Sequence, residues 1–224
     1  MKSCKSAAFT MIELVFVIVV LGILAAMAMP RLERDLRQEA ADNILFAIRH
    51  TQHLALMDNV RETNATWQRA FWRFGFNSCS DDGIFYYIAA DKDLGGGVIP
   101  SANEAAIDPL NGQNLAGQNT QPCETDISGH TTASSNIFIT RNHSISDGNV
   151  AWSGGCVGTS NYIGFDNLGR PHRGFLASSA PDYATVVTSD CNLTLTFDTS
   201  DIEPLIITIE KETGHAYIAG QPDS

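Results

Sequence analysis

The sequence predicts an α+β protein in which a long N-terminal α-helix, transmembrane in its first half, packs on a C-terminal antiparallel β-sheet domain. Three observations carry this prediction. Residues 9–29 are almost entirely apolar, residues 30–60 place apolar side chains on one helical face, and residues 61–224 contain short alternating stretches separated by turns. The chain therefore divides into a leader at 1–8, a membrane helix at 9–29, its amphipathic continuation at 30–60 and a β-rich domain at 61–224.

The apolar run has the length of a membrane span. Its 21 residues read FTMIELVFVIVVLGILAAMAM and include only Thr10 and Glu13 as polar side chains, and about 20 residues cross the hydrocarbon of a bilayer. Lys2 and Lys5 precede the run, and the positive-inside rule keeps such lysines on the cytoplasmic side. We therefore expect a single-pass protein whose C-terminal domain lies outside the cytoplasm.

The helix is expected to continue beyond the membrane, from about residue 9 to about residue 59. No glycine occurs between Gly22 and Gly75. Pro30 removes one backbone hydrogen bond, and Gly22 weakens the same region, so we expect a kink at these two positions. After Pro30 the apolar residues recur mostly three or four positions apart, as on one face of an amphipathic helix, at Leu32, Leu36, Ala40, Ile44, Ile48 and Ala55.

Glu13 is the unusual residue of the apolar run. A carboxylate inside a membrane helix costs a few kcal/mol on insertion scales, so it commonly has a partner or a function. Cleavage between Ala8 and Phe9 would create a positive α-amino group four residues before Glu13. That amine, on the same or a neighbouring subunit, is the expected counter-charge. The alternative is a tolerated acid near the membrane surface.

The run AFTMIEL at residues 8–14, followed by an apolar helix and Pro30, resembles the class III signal sequence of type IV pilins and type II secretion pseudopilins. The resemblance implies that a prepilin peptidase cleaves between Ala8 and Phe9 and methylates the new amine of Phe9. It also implies that Glu13 meets the N-terminus of a neighbour during assembly. The chain departs from the family pattern at Ala8, where glycine is usual. Because alanine is also small, we expect the peptidase to cleave there, but more slowly.

The globular part resembles the minor pseudopilin or fimbrial-biogenesis minor pilin branch, through residues 163–171 and the terminal hairpin at 207–218. This resemblance implies a structural subunit of a type II secretion pseudopilus or type IV pilus, assembling through its N-terminal helix. The partners it implies are other pilin or pseudopilin subunits, the prepilin peptidase, an inner-membrane assembly platform and membrane lipid. The implied location is the bacterial inner membrane, with a periplasmic C-terminal domain, and then the pilus or pseudopilus.

Two alternatives remain open from the sequence. The first is a ligand-binding minor pilin for adhesion or DNA uptake, although a net charge of −11 disfavours general nucleic-acid binding and none is expected. The second is a secreted soluble enzyme, because Ala26-Met27-Ala28 fits a signal-peptidase site.

The cysteines indicate disulfides. Cys4 lies in the leader, and the other four are widely spaced without a C-x-x-C pair. In an exported domain four cysteines indicate two bridges, for which three pairings are possible. Closure of the shorter loops favours Cys79–Cys123 with Cys156–Cys191, although this entropic preference is weak.

Several stretches after residue 60 have the composition of strands. The last two of these stretches, 205–210 and 216–219, should form a hairpin through the turn at 212–215. Residues 95–135 are expected to form a polar surface excursion held by Cys123. The candidate strands are 71–76, 84–90, 136–141, 162–166, 184–188, 193–198, 205–210 and 216–219.

No established catalytic motif occurs, and we expect neither an enzyme nor a cofactor. Four histidines could be combined with Ser and Asp residues only into nominal triads, and they are His130, His143, His172 and His215. His50 and His53 lie three apart on the helix, where a solvated or capping role is favoured over metal binding. Residues 91–95, DKDLG, begin like a calcium loop but lack its other ligands, so a solvated acidic loop is favoured over calcium.

Overall fold

The computed structural model describes residues 11–58, 64–97, 100–158 and 161–221, and within the first helix the side chains of 11–25 and 36–57. Contacts separate two units, Met1–Leu36 and Arg37–Ser224. Ala8 and Phe9, and the side chain of Pro30, lie outside the described part of the chain.

The first helix, α1, spans Met11–Met57, close to the predicted range. Its backbone is helical through Gly22 and Pro30, and the kink at these positions stays a prediction. From residue 37 onward α1 is amphipathic, because the side chains of Ala40, Ile44 and Ile48 are fully buried while Gln38, Asp42 and Phe46 are exposed.

The C-terminal half of α1 packs on the β-rich domain through polar contacts as well as apolar burial. Arg49 donates from Nε and Nη2 to the carbonyl of Ala216 at 3.2 and 2.8 Å. Gln52 Nε2 donates to the carbonyls of Gly169 at 3.0 Å and Thr213 at 2.7 Å. The predicted α+β class is therefore confirmed.

The described strands form two antiparallel sheets of four. The first has the order β2-β1-β4-β5 and the second the order β3-β6-β7-β8. The strands are β1 Trp72–Ser78, β2 Ile84–Ala89, β3 Val150–Gly154, β4 Tyr162–Phe165, β5 Pro171–His172, β6 Cys191–Leu195, β7 Leu205–Ile209 and β8 Ala216–Ile218. A short helix, α2, spans Ile139–His143, and 3-10 turns span Trp67–Ala70, Ser135–Ile137, Phe175–Ala177 and Tyr183–Thr185.

The predicted C-terminal hairpin is present, since β7 and β8 pair with Ile207 opposite Ile218. Gly214 has a φ of +67°, and a Cβ there would lie 2.2 Å from the carbonyl oxygen of Gly169. Both the backbone angle and the close approach therefore require glycine in this turn.

Two predicted strands are wrong. Residues 136–141 form a 3-10 turn and α2 instead, because Ser134 caps the turn through Asn136 N and the Thr140 hydroxyl donates to the carbonyl of Ile145. Residues 184–188 begin in a 3-10 turn, because the Asp182 carboxylate accepts from Ala184 N. The sequence analysis also missed β3, which is mostly exposed, and β5, which has two residues.

Both disulfides join the pairs that loop closure favoured. Cys79 pairs with Cys123 at a Cα–Cα distance of 5.8 Å, and Cys156 pairs with Cys191 at 5.1 Å. The first bridge holds the polar excursion that starts near residue 95. That excursion also adds to the edge of β2, where Ile88 N donates to the carbonyl of Leu115 at 2.8 Å.

Candidate functional site: the N-terminal segment and the polar clusters

The apolar side chains at the start of α1 are all exposed. Every described side chain from residue 11 to residue 25 is exposed. An exposed apolar surface of this size marks a site of contact with another protein or with a membrane. The large apolar side chains have exposed fractions from 37% to 87%, and they are Met11, Ile12, Leu14, Val15, Phe16, Val17, Ile18, Val19, Val20, Leu21, Ile23 and Leu24.

Glu13 lies in the first turn of α1 and is exposed among these apolar residues. Cleavage at Ala8 and methylation of Phe9 concern residues outside the described part, and both stay predictions.

Gly22 has no packing requirement within the described chain, because no heavy atom lies within 4 Å of the position of an added Cβ. Its predicted role in bending α1 is therefore not explained by a close contact inside the subunit.

Among the residues with described side chains, no helix is both long enough and apolar enough to qualify as a membrane span. The span expected at 9–29 includes positions beyond those residues at both ends.

The acidic loop at 91–95 gathers three carboxylates, since ligand oxygens of Asp91, Asp93 and Glu104 lie within 4.8 Å of one another. The sequence analysis missed Glu104. Asp91 accepts from Gly95 N and Gly96 N, at 3.1 and 2.7 Å, and Asp93 accepts from Gly95 N at 2.9 Å. These carboxylates supply three of the about 6–8 oxygens that calcium takes, and their hydrogen bonds are those that hold a turn.

Burial and hydrogen bonds shift the pKa values of Asp91 and Asp93 in opposite directions. Burial raises the pKa of Asp91, with the neighbouring Asp93 and Glu104 acting in the same direction. The hydrogen bond from Gly95 N lowers the pKa of Asp93.

A second group, Cys79, Asp81 and Cys123, is not a metal site, because the two cysteines form a disulfide. Burial opposes ionisation of Asp81, but hydrogen bonds from Glu124 N, Cys123 N and Gly83 N hold its pKa below the usual value. The carboxylate thus fastens the backbone beside the bridge.

The structure assembles one carboxylate–imidazole–hydroxyl series around His172. His172 Nε2 lies 3.2 Å from Asp166 Oδ2, and Nδ1 lies 3.0 Å from Thr185 Oγ1. All three residues are buried. The Thr185 hydroxyl, however, donates its proton to the carbonyl of Asp182 at 2.7 Å, so it is not arranged as a nucleophile activated by His172. His172 is one of the four histidines considered from the sequence, and no spacing signal links it to Asp166 or Thr185.

The other histidines described below lie outside the series around His172. His130 Nε2 lies 3.1 Å from the carbonyl of Pro122. His143 is buried, and neither of its ring nitrogens has a hydrogen-bond partner among the described residues. His50 and His53 meet no acidic third ligand in the described clusters.

Comparison with family models matches residues 3–29 to the prokaryotic N-terminal methylation motif. No curated protein and no solved structure matches the chain. The motif is the leader of type IV pilins and pseudopilins, so residues 3–29 of this chain carry a leader of that kind.

Proposed function

We propose that this protein is a structural minor subunit of a type II secretion pseudopilus or a type IV pilus, assembled through α1. The observation that carries the proposal is the unbroken exposure of apolar side chains from Met11 to Leu24, within the segment that matches the methylation motif. Burying such a surface is strongly favourable, at about 25 cal/mol per Å² of apolar area.

Lipid covers this surface before assembly. The subunit waits in the inner membrane as a single-pass protein, and Lys2 and Lys5 keep its start on the cytoplasmic side. The β-rich domain then lies in the periplasm. The prepilin peptidase removes residues 1–8, and the inner-membrane platform receives the mature chain.

Neighbouring helices cover the surface after assembly. Association of apolar helices in lipid gains little from the hydrophobic effect, because lipid tails are equally apolar, so packing and polar contacts decide it. Glu13 supplies the polar contact, with the α-amine of Phe9 on an adjacent subunit as its partner. Removing either charge would strand the other in an apolar environment.

Processing gives the direct test of this proposal. Intact-mass analysis of membrane-extracted protein should give a chain that starts at Phe9, and sheared filaments should contain it. Loss of Lys2 and Lys5 leaves 12 Lys and Arg of the original 14. A chain that starts at Met29 would instead support a secreted soluble protein, and a chain that retains residues 1–8 would contradict the processing step.

A further inference from the structure

A small cavity lies between α1 and the polar excursion, within the unit Arg37–Ser224. Its volume is about 220 Å³, and its walls include Phe46, Leu110 and Leu115 as apolar side chains and Asn43 and Asp108 as polar ones. Pockets for drug-sized ligands have roughly 300–1,000 Å³. This cavity therefore suits a single side chain better than a large ligand.

The cavity contains a buried carboxylate that forms no ion pair with any described residue. Asp108 is 2% exposed, and its carboxylate accepts from Ser134 Oγ at 2.6 Å, Asn136 Nδ2 at 3.0 Å and Leu110 N at 2.9 Å. All three donors are uncharged. The ion pairs found among the described residues both involve Asp166 instead. Buried charges are normally paired, but no Lys, Arg or His of the described part of the chain forms an ion pair with Asp108.

Neighbouring groups do not supply that counter-charge. Burial lowers the pKa of His50, and the nearby His53 acts in the same direction. These two effects outweigh Asp108, which raises the pKa of His50, so the imidazole is held in its neutral form. Burial raises the pKa of Tyr86, and the negative charge of Asp108 raises it further. Tyr86 also lines the cavity, so its hydroxyl stays uncharged beside the carboxylate.

A second acceptor in the wall lacks a donor. Asn43 Nδ2 donates to the carbonyl of Asn136 at 3.2 Å, which fixes the orientation of the amide. Asn43 Oδ1 is then buried without a hydrogen-bond partner among the described residues. Such an oxygen is costly to bury unpaired. The cavity thus offers two acceptors and calls for a donor that carries positive charge.

The rim of the cavity is apolar and exposed. Leu110 is 79% exposed and Phe46 is 47% exposed, and both line the cavity. An aliphatic stem ending in a charged donor group fits walls of this kind, and lysine and arginine have that form. A bare metal ion would leave the apolar walls without a contact.

We propose that this cavity binds a lysine or arginine side chain of a neighbouring subunit, with its stem against Phe46 and Leu110 and its charged head at Asp108 and Asn43. The chemistry of the occupant follows from the cavity, whereas its origin in a neighbouring subunit rests on the proposed function.

A titration of the full chain in detergent tests the chemistry of the cavity. The probe is n-butylammonium, the neutral comparison is n-pentanol, and the readout is the NMR shift of the side-chain amides of Asn43 and Asn136. Butylammonium should give saturable shifts in the wild type and bind at least about tenfold more weakly in Asp108→Asn. Asp198→Asn is the matched control, because exposed Asp198 also accepts from a serine and an asparagine, Ser146 and Asn149.

Leu110→Lys keeps the titration decisive if Asp108→Asn does not fold. Position 110 is exposed at the rim, so its lysine should enter the cavity and compete with butylammonium. Equal binding of n-pentanol, unchanged affinity in Asp108→Asn, or unchanged affinity in Leu110→Lys would overturn the inference.

Filament incorporation separates this inference from the proposed function. We expect the wild type and Asp198→Asn to enter sheared filaments, and Asp108→Asn and Leu110→Lys to enter them poorly. If the two cavity variants assemble like the wild type, this inference fails and the proposed function stands. If the wild type itself is missing from filaments, the proposed function fails.

Discussion

Single carboxylates and histidines of the β-rich domain make its stability depend on pH. Asp166 is the strongest case, because it is 3% exposed and accepts hydrogen bonds from Arg170 Nε at 2.8 Å and from Leu168 N and Arg170 N, each at 2.9 Å. Burial opposes its ionisation, but His172 and Arg170 outweigh this effect and lower the pKa of Asp166 to about 2. The carboxylate therefore joins the end of β4 to β5.

We expect Asp166→Asn to lower the free energy of unfolding by about 2 kcal/mol at pH 7, since the pKa of Asp166 is lowered from 3.8 to about 2. A depressed folded-state pKa stabilises the fold above the unfolded-state value. This contribution should disappear as the pH falls from about 4 to about 2. Urea unfolding of the wild type and the variant across this range measures it. An equal difference at pH 5 and pH 2 would contradict the account, and exposed Asp201→Asn serves as the control.

His143 should affect the free energy of unfolding at a higher pH than Asp166 does. Burial lowers the pKa of His143, and the charge of Glu39 offsets only part of this effect. The unfolded chain then binds the proton more readily than the folded chain, so stability should fall as the pH drops through about 6.5.

We expect His143→Phe to flatten the loss of stability between pH 7.5 and pH 5, because the phenyl ring fills the site and takes up no proton. Denaturation midpoints at the two pH values measure this. His50 and His130 have pKa values lowered by burial as well, so the slope should shrink rather than vanish. A variant whose slope equals that of the wild type would exclude the assigned role of His143.

At the scale of elements, the two disulfides hold segments that have little regular structure. Cys79–Cys123 closes over 44 positions and Cys156–Cys191 over 35. The second bridge fixes the turn after β3 to the first residue of β6. Loops of this length are entropically costly to order without a cross-link.

We expect the four disulfide-bonded cysteines, Cys79, Cys123, Cys156 and Cys191, to resist alkylation in the native protein until a reductant is added. Replacing Cys79 and Cys123 together by serine should lower the free energy of unfolding by roughly 2–4 kcal/mol. Mass spectrometry after thiol labelling and urea unfolding check the two statements. Labelling of any of the four thiols without reductant would contradict the pairing.

The elements that could be predicted from the sequence are those whose patterns are local. The periodicity of Ala40, Ile44 and Ile48 indicates a helix face, and alternation indicates β6 and β7. The segment at 136–141 is apolar enough for a strand, but Thr140 uses its hydroxyl to accept from Ile84 N at 2.8 Å and to donate to Ile145. Such long-range contacts decide the local structure, and no periodicity reveals them.

At the scale of the whole molecule, the leader could be identified from local sequence alone, because the AFTMIEL run and its apolar continuation are contiguous. The polar groups around Asp166 and Asp108 could not be identified from local sequence. Thr185 meets His172 across 13 positions, and Ser134 meets Asp108 across 26. Only the tertiary fold brings these polar groups together, so the leader could be predicted from the sequence but the cavity in the globular part could not.

We propose that α1 joins the subunit to its neighbours and that Glu13 makes the polar contact in that assembly. Replacing Glu13 by leucine removes one charge of the proposed pair and leaves the Phe9 amine without its partner. Membrane insertion should persist or improve, because an apolar residue replaces an acid in the apolar segment. Glu39→Leu is the matched control, since Glu39 is an exposed acid on the same helix outside that segment.

Filament incorporation of Glu13→Leu is the most direct measurement. The variant, the control and the wild type are expressed side by side, and membrane fraction, mature mass and sheared-filament content are compared. We expect the membrane fraction and the mature start at Phe9 to be retained, with filament content at least about tenfold lower for Glu13→Leu alone. Normal assembly of Glu13→Leu would show that the acid takes no part in joining the subunits and would contradict the proposed mechanism.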